Sequence, residues 1–129
     1  MNQQLQQLSI LVEDYDDAID FYTKKLKFQL LEDTRQSETK RWVRVAPFGS
    51  TTGLLLAKAA NEEQTSRIGN QTGGRVFLFL HTDDFRRDYA NLQKEGVKIV
   101  REQSEEAYGT VAVFEDLYGN LWDLIEPKK

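Results

Sequence analysis

The side chains able to do chemistry in this chain are few, and they lie in separate segments. They are one histidine, His81; a carboxylate, Asp123, inside the apolar run Leu121-Trp122-Asp123-Leu124-Ile125; a guanidinium, Arg44, between Val43 and Val45; and an amide, Gln7. His81 is the sole imidazole, so no His pair is available to hold a metal. Its neighbours Thr82-Asp83-Asp84 make a hydrogen-bonded strand end as natural a role for it as proton transfer. Asp123 needs a partner or water, because a carboxylate taken out of water unpaired is costly. Pairing with Arg44 or Arg41 is one expectation for it and ligand contact the other. His81 and Asp123 are therefore the candidates for acid–base work. Other chemistries drop out. There is no cysteine, hence no thiol nucleophile, thiolate metal site or disulfide. There is no GxSxG elbow, and Arg67 to Gly74 has neither the spacing nor the lysine of a phosphate loop.

The elements that must position these groups come from a pattern written twice, at an offset of about seventy residues. Leu8 to Val12 runs into Glu13-Asp14 much as Leu78 to Thr82 runs into Asp83-Asp84. Each acidic end opens a stretch of helical spacing, Tyr15, Ala18, Ile19, Tyr22 and Leu26 in one copy and Phe85, Tyr89 and Leu92 in the other. Asp14 and Asp84 are thus predicted N-caps, and Gly96 a left-handed C-terminal cap. Strands are expected at 28–32, 41–46 and 54–59, and again at 97–102, 110–115 and 121–126, so the chain is α+β with two tandem βαβββ modules. Module one covers about 5–60 and module two about 75–127 of a single domain, 1–129, with a polar, glycine-rich linker at about 58–74. A linker of that length is expected to hold a short helix or to lie over a binding surface.

Alternation along strands assigns faces. One face is expected to collect Gln7 and Ser9; Phe77, Phe79 and His81; Trp42 and Arg44; Ala112 and Phe114; and Asp123. The valines 43, 45, 111 and 113 would then face the helices, and Trp122 would turn away from Asp123, toward the core or a dimer interface. Such a face, aromatic and apolar with a few polar groups, has the composition of a small-molecule site. Tyr108, just ahead of the strand at 110, is a further ligand-contact candidate. With net charge −4 and no basic patch, nucleic acid is not an expected partner, and no apolar run reaches the length of a membrane span. Met1-Asn2-Gln3-Gln4 lacks the basic and apolar regions of a secretory signal, and a cytoplasmic location is expected.

Two motifs carry a family resemblance. Asp14 to Leu26, with Asp14, Ala18, Phe21, Tyr22 and Leu26, resembles the first helix of the vicinal oxygen chelate superfamily, whose members include glyoxalase I, bleomycin-resistance proteins and extradiol dioxygenases. Lys27 stands where that family usually has glycine. Asp116-Leu117-Tyr118-Gly119-Asn120-Leu121-Trp122-Asp123-Leu124-Ile125-Glu126-Pro127 is similar to the family's ending. The resemblance implies a curved mixed sheet around a cavity and a homodimer. It also implies metal-ligand positions at Gln7, Phe77, Leu55 or Ala57, and Asp123. Phe77, Leu55 and Ala57 cannot ligate a metal, so a divalent cation is not expected and no cofactor is. Three functions follow: metal-free binding of a small aromatic or amphipathic molecule; a metal-dependent lyase, isomerase or dioxygenase with an atypical site of Gln7, His81 and Asp123; or a non-catalytic sensor or interaction module.

Overall fold

A computed structural model describes all residues, 1–129. The chain divides into two compact units, Met1–Ile68 and Gly69–Lys129, and the break falls inside the expected linker. Each unit is one βαβββ module with its own four-stranded sheet, so the duplicated pattern corresponds to two tandem modules.

In the first unit, β1 (Gln7–Val12) leads to α1 (Tyr15–Asp20), followed by β2 (Gln29–Arg35), β3 (Arg41–Ala46) and β4 (Gly53–Lys58). The sheet order is β1-β4-β3-β2, with β1 parallel to β4 and the other pairs antiparallel. Asp14 caps α1 as predicted, its Oδ1 accepting from the Asp17 N–H at 3.0 Å. The helix continues over Phe21–Lys25 as a wider π-type turn, in which the Leu26 N–H reaches the Phe21 carbonyl at 3.2 Å. It ends at Lys27, whose φ of 64° is the left-handed conformation that glycine usually supplies at such a stop. Tyr15, Ala18, Phe21 and Tyr22 are buried on the helix, with Ile10, Val43, Val45 and Leu56 buried on the sheet. The predicted face of Val43 and Val45 is observed.

The second unit repeats the plan with β5 (Val76–His81), α3 (Phe85–Lys94), β6 (Ile99–Glu106), β7 (Gly109–Glu115) and β8 (Leu121–Pro127), ordered β5-β8-β7-β6. Asp84 caps α3 by accepting from the Arg87 N–H at 3.1 Å, and Gly96, at φ 72°, closes it. The turn between β7 and β8 is organised by Asp116, which is buried. Its Oδ1 accepts from the N–H groups of Tyr118, Gly119 and Asn120 at 3.0, 3.1 and 3.0 Å, and its Oδ2 from the Asn120 amide at 3.0 Å. Gly69 packs on the same turn so closely that a Cβ there would lie 1.9 Å from the Tyr118 carbonyl oxygen.

Between the modules the linker forms a short helix, α2 (Glu62–Arg67), capped by Asn61. The second strands run further than hydrophobic pattern predicts. Their added residues, such as Thr34, Arg35, Ser104 and Glu105, are polar and are held by pairing to β3 and β7.

Candidate functional site

Strand register decides which side chains share a face. In the first unit Ser9 and Arg44 both pair with Leu55, and Glu32 pairs with Arg44. Gln7, Ser9, Trp42 and Arg44 therefore stand on the side of the sheet opposite Val43, Val45 and Leu56, as expected. Arg44 lies along this face, its Nε donating to Gln7 Oε1 at 2.6 Å. Gly53 leaves room for it: an added Cβ would come within 3.4 Å of Arg44 Nη2. Arg44 enters no ion pair.

Trp42 lines a pocket of about 530 Å³, together with Tyr15, Thr39, Lys40, Arg41, Leu55, Leu56, Ala57, Lys58, the linker residues Ala59 and Ala60, and Gln64 of α2. That volume suits a small ligand. One side of the rim is cross-linked by polar contacts. Arg41 forms a bidentate pair with Asp33, at 3.0 and 2.7 Å, meets Asp16 at 3.0 Å, and lies 5.1 Å over the Tyr15 ring. Its hydrogen bonds to Asp33, then to Asp16, hold the guanidinium above its ordinary range, and the same bonds pull Asp33 below the usual carboxylate range.

In the second unit Asp123 pairs with Phe79 on β5 and with Val113 on β7, while Arg101 of β6 pairs with Val113 and His81 with Ile125. Phe79, His81, Arg101, Val113 and Asp123 thus share one face, and Phe79 is 62% exposed on it. Burial pushes the Asp123 carboxyl above the ordinary range, against the opposing pull of Arg101 and His81. Within the first unit Arg41 is bound by Asp33 and Asp16 and Arg44 by Gln7, and within the second the groups that act on Asp123 are Arg101 and His81.

Phe114 departs from expectation. It pairs with Trp122, is 0% exposed, and stacks on the Trp122 ring at 5.8 Å and 18°, on the face opposite Asp123. With it go Ala112 and Leu124, so Val111 and Val113, not Ala112 and Phe114, share the face of Asp123. The cause is a one-residue phase shift. The offset between equivalent positions is about seventy at Asp14 and Asp84 but about sixty-nine at Arg44 and Val113. One residue of slip turns every side chain of a strand over. Trp122 consequently belongs to the core, with its Nε1 3.4 Å from Asp116 Oδ2, and not to a dimer interface. Phe77 falls in a register break between Val76 and Leu78 and has no partner on β8. Tyr108 sits at the tip of the β6–β7 turn with 58% exposure.

The residues do not fit a family-type metal. Gln7 gives its amide oxygen to Arg44, Phe77 has no donor, and register puts Leu55 in the place that Asp123 holds in the second unit. No group of three or more His, Cys, Asp or Glu side chains is placed to hold a metal ion. The residues missed from sequence are the pocket lining of Tyr15, Thr39, Lys40 and Lys58, and Arg101. Arg101 stands to Val113 as Glu32 stands to Arg44, a correspondence that strand register supplies.

Similar proteins share this architecture. A model of the Glyoxalase/Bleomycin resistance protein/Dioxygenase superfamily matches residues 4–124. An uncharacterized protein of Shewanella frigidimarina (strain NCIMB 400) is 61% identical over 128 residues, covering 98% of this chain and 95% of its own. Among solved structures, UcmS2 superposes with a TM-score of 0.85 at 32% identity, covering 98% of this chain and 99% of that one. TnmS3, an antibiotic binding protein from Streptomyces sp. CB03234, superposes with a TM-score of 0.82 at 33% identity, with 98% of each chain covered. Two βαβββ modules, the helix motif at Asp14 to Leu26, the Asp116-to-Pro127 ending and a match over nearly the whole length make this chain a member of the glyoxalase/bleomycin resistance protein/dioxygenase superfamily.

Proposed function

We propose that the protein binds a small aromatic or amphipathic molecule without a metal ion, as a cytoplasmic homodimer. The observation that carries this reading is the pocket beside Trp42, apolar at Leu55, Ala57, Ala59 and Ala60 and polar at Thr39, Lys40, Lys58 and Gln64. An apolar floor with a few polar groups is what small-molecule sites generally have. The remaining family positions support the metal-free part, since Gln7 and Asp123 fall short of the three protein ligands that transition-metal sites use. The similarity to TnmS3, an antibiotic binding protein, supports binding over turnover. Gln7, Ser9, Trp42 and Arg44 of the first unit, and separately Phe77, Phe79, His81, Tyr108 and Asp123 of the second, are proposed ligand contacts, whereas Phe114 is fully buried and offers a ligand no surface.

Trp42 is only half-buried while Trp122 is buried, so ligand capture should quench the former. The test is a panel of aromatic compounds titrated against metal-stripped protein while tryptophan fluorescence is followed, with elemental analysis of protein purified without a histidine tag. Saturable quenching in the stripped protein, absent from Trp42→Phe, is expected. Binding that appears only after divalent metal is restored would refute the metal-free reading.

A further inference from the structure

We infer that Arg44 is an anion anchor, so that the molecule bound carries a carboxylate or other oxyanion beside its aromatic ring. This rests on the binding reading above and specifies its ligand class.

The inference starts from a charge without a counter-charge. Arg44 is half-buried on the face of the first sheet that Leu55 shares, with its Nη2 and the Leu31 side chain both beside Gly53, and enters no ion pair. A carboxylate is close in register, since Glu32 pairs with Arg44 across the β2–β3 ladder. Glu32 is nonetheless turned to its own strand, its Oε2 accepting from the Thr34 hydroxyl at 3.1 Å. The neighbouring Arg41, in the same strand, is by contrast bound to two carboxylates. A half-buried guanidinium without a counter-charge is a natural place for a ligand to supply the negative charge.

The guanidinium is also held in place. Gln7 accepts from Nε at 2.6 Å, and Gly53 provides the space in which Nη2 lies. Fixing Nε orients the plane of the fork and leaves the terminal N–H groups to donate. A planar oxyanion suits that geometry, because two parallel bonds from guanidinium to carboxylate are among the stronger hydrogen-bond arrangements. Trp42 stands two residues earlier on the same face of β3; Arg44 is not itself in the lining of the pocket beside Trp42, so a ligand whose ring lies against Trp42 would extend along β3 to bring its oxyanion to Arg44. The chain as a whole repels anions, at net charge −4, so a preference for anions must be local. Lys40 and Lys58, in the pocket lining and outside every ion pair, are the rival local cations.

The test compares 2-naphthoate with its neutral analogue 2-naphthamide, by calorimetry and tryptophan quenching, at low and high salt. Expected are a preference for naphthoate of about tenfold or more, as one charge-assisted pair implies, and loss of that preference in Arg44→Gln with naphthamide affinity kept. Arg44→Lys should retain part of it, and Gln7→Leu should reduce it by loosening the guanidinium. Lys40→Gln and Lys58→Gln should leave it in place. A merely structural Arg44 would not change the ratio of the two affinities, and Arg44→Lys and Gln7→Leu still decide the matter if Arg44→Gln does not fold. Equal binding of the two probes, or a preference that survives removal of the Arg44 charge, overturns the anchor and leaves aromatic binding standing. Binding of neither probe by the folded wild type overturns the anchor and the aromatic-binding reading together.

Discussion

Asp123 carries a carboxyl whose chemistry depends on its surroundings. Burial raises its folded-state pKa above the unfolded value. Between those two values the folded chain keeps a proton that the unfolded chain has released, so stability falls as pH rises through that window. Asp123→Asn removes the penalty. The variant should be more stable than wild type at neutral pH, by under about 1 kcal/mol because solvent screens a partly exposed carboxylate, and the gain should vanish below the ordinary aspartate range of about 3.9. Urea titrations of both proteins across acid to neutral pH measure this; a constant difference would exclude titration of Asp123 as its source. Asp33 has the opposite sign. Its lowered pKa, due first to the Arg41 hydrogen bonds, contributes stability that is lost as pH falls.

At the scale of elements, the faces of β5 and β7 are what separate ligand contacts from core. Phe114 stacks on Trp122 and is fully buried, whereas Phe79, paired with Asp123, is largely exposed. Phe114→Ala should cost about 3–5 kcal/mol of stability, as large-to-small changes at buried aromatics do. Phe79→Ala should stay within about 0.5 kcal/mol of wild type and lower affinity for aromatic ligands instead. Chemical denaturation of the two variants checks the register directly, and similar costs would mean the faces are wrongly assigned. The helices were more legible than the strands because their signals are local: Asp14, Asp84 and Gly96 each act within one turn. The polar second halves of β2 and β6 carried no such signal, since partners distant in sequence hold them.

For the whole molecule, the relevant facts are two compact units of under seventy residues each and no helix long and apolar enough to cross a membrane. Modules of that size have little core of their own, and Leu30, Leu31, Phe48 and Val100 remain exposed on the chain. The proposed homodimer would cover such surface. Light scattering should then give twice the chain mass, with a melting temperature that rises with protein concentration. A monomer at all concentrations would remove dimerisation from the proposal without touching the pocket beside Trp42.

Sequence alone determined the βαβββ duplication, both helix caps, family membership and the poverty of metal ligands, because each is written in residue type and short spacing. Gln7, Trp42 and Arg44 were also placed on the correct face by simple alternation. Tertiary structure decided the rest. A one-residue change in offset, invisible as composition, turned Phe114 into the core and Val113 toward Asp123. The Gln7–Arg44 bond joins positions thirty-seven apart in the chain. The idle charge of Arg44 depends on where the Glu32 side chain turns. Register and side-chain direction arise from pairing between strands, and no single segment encodes them.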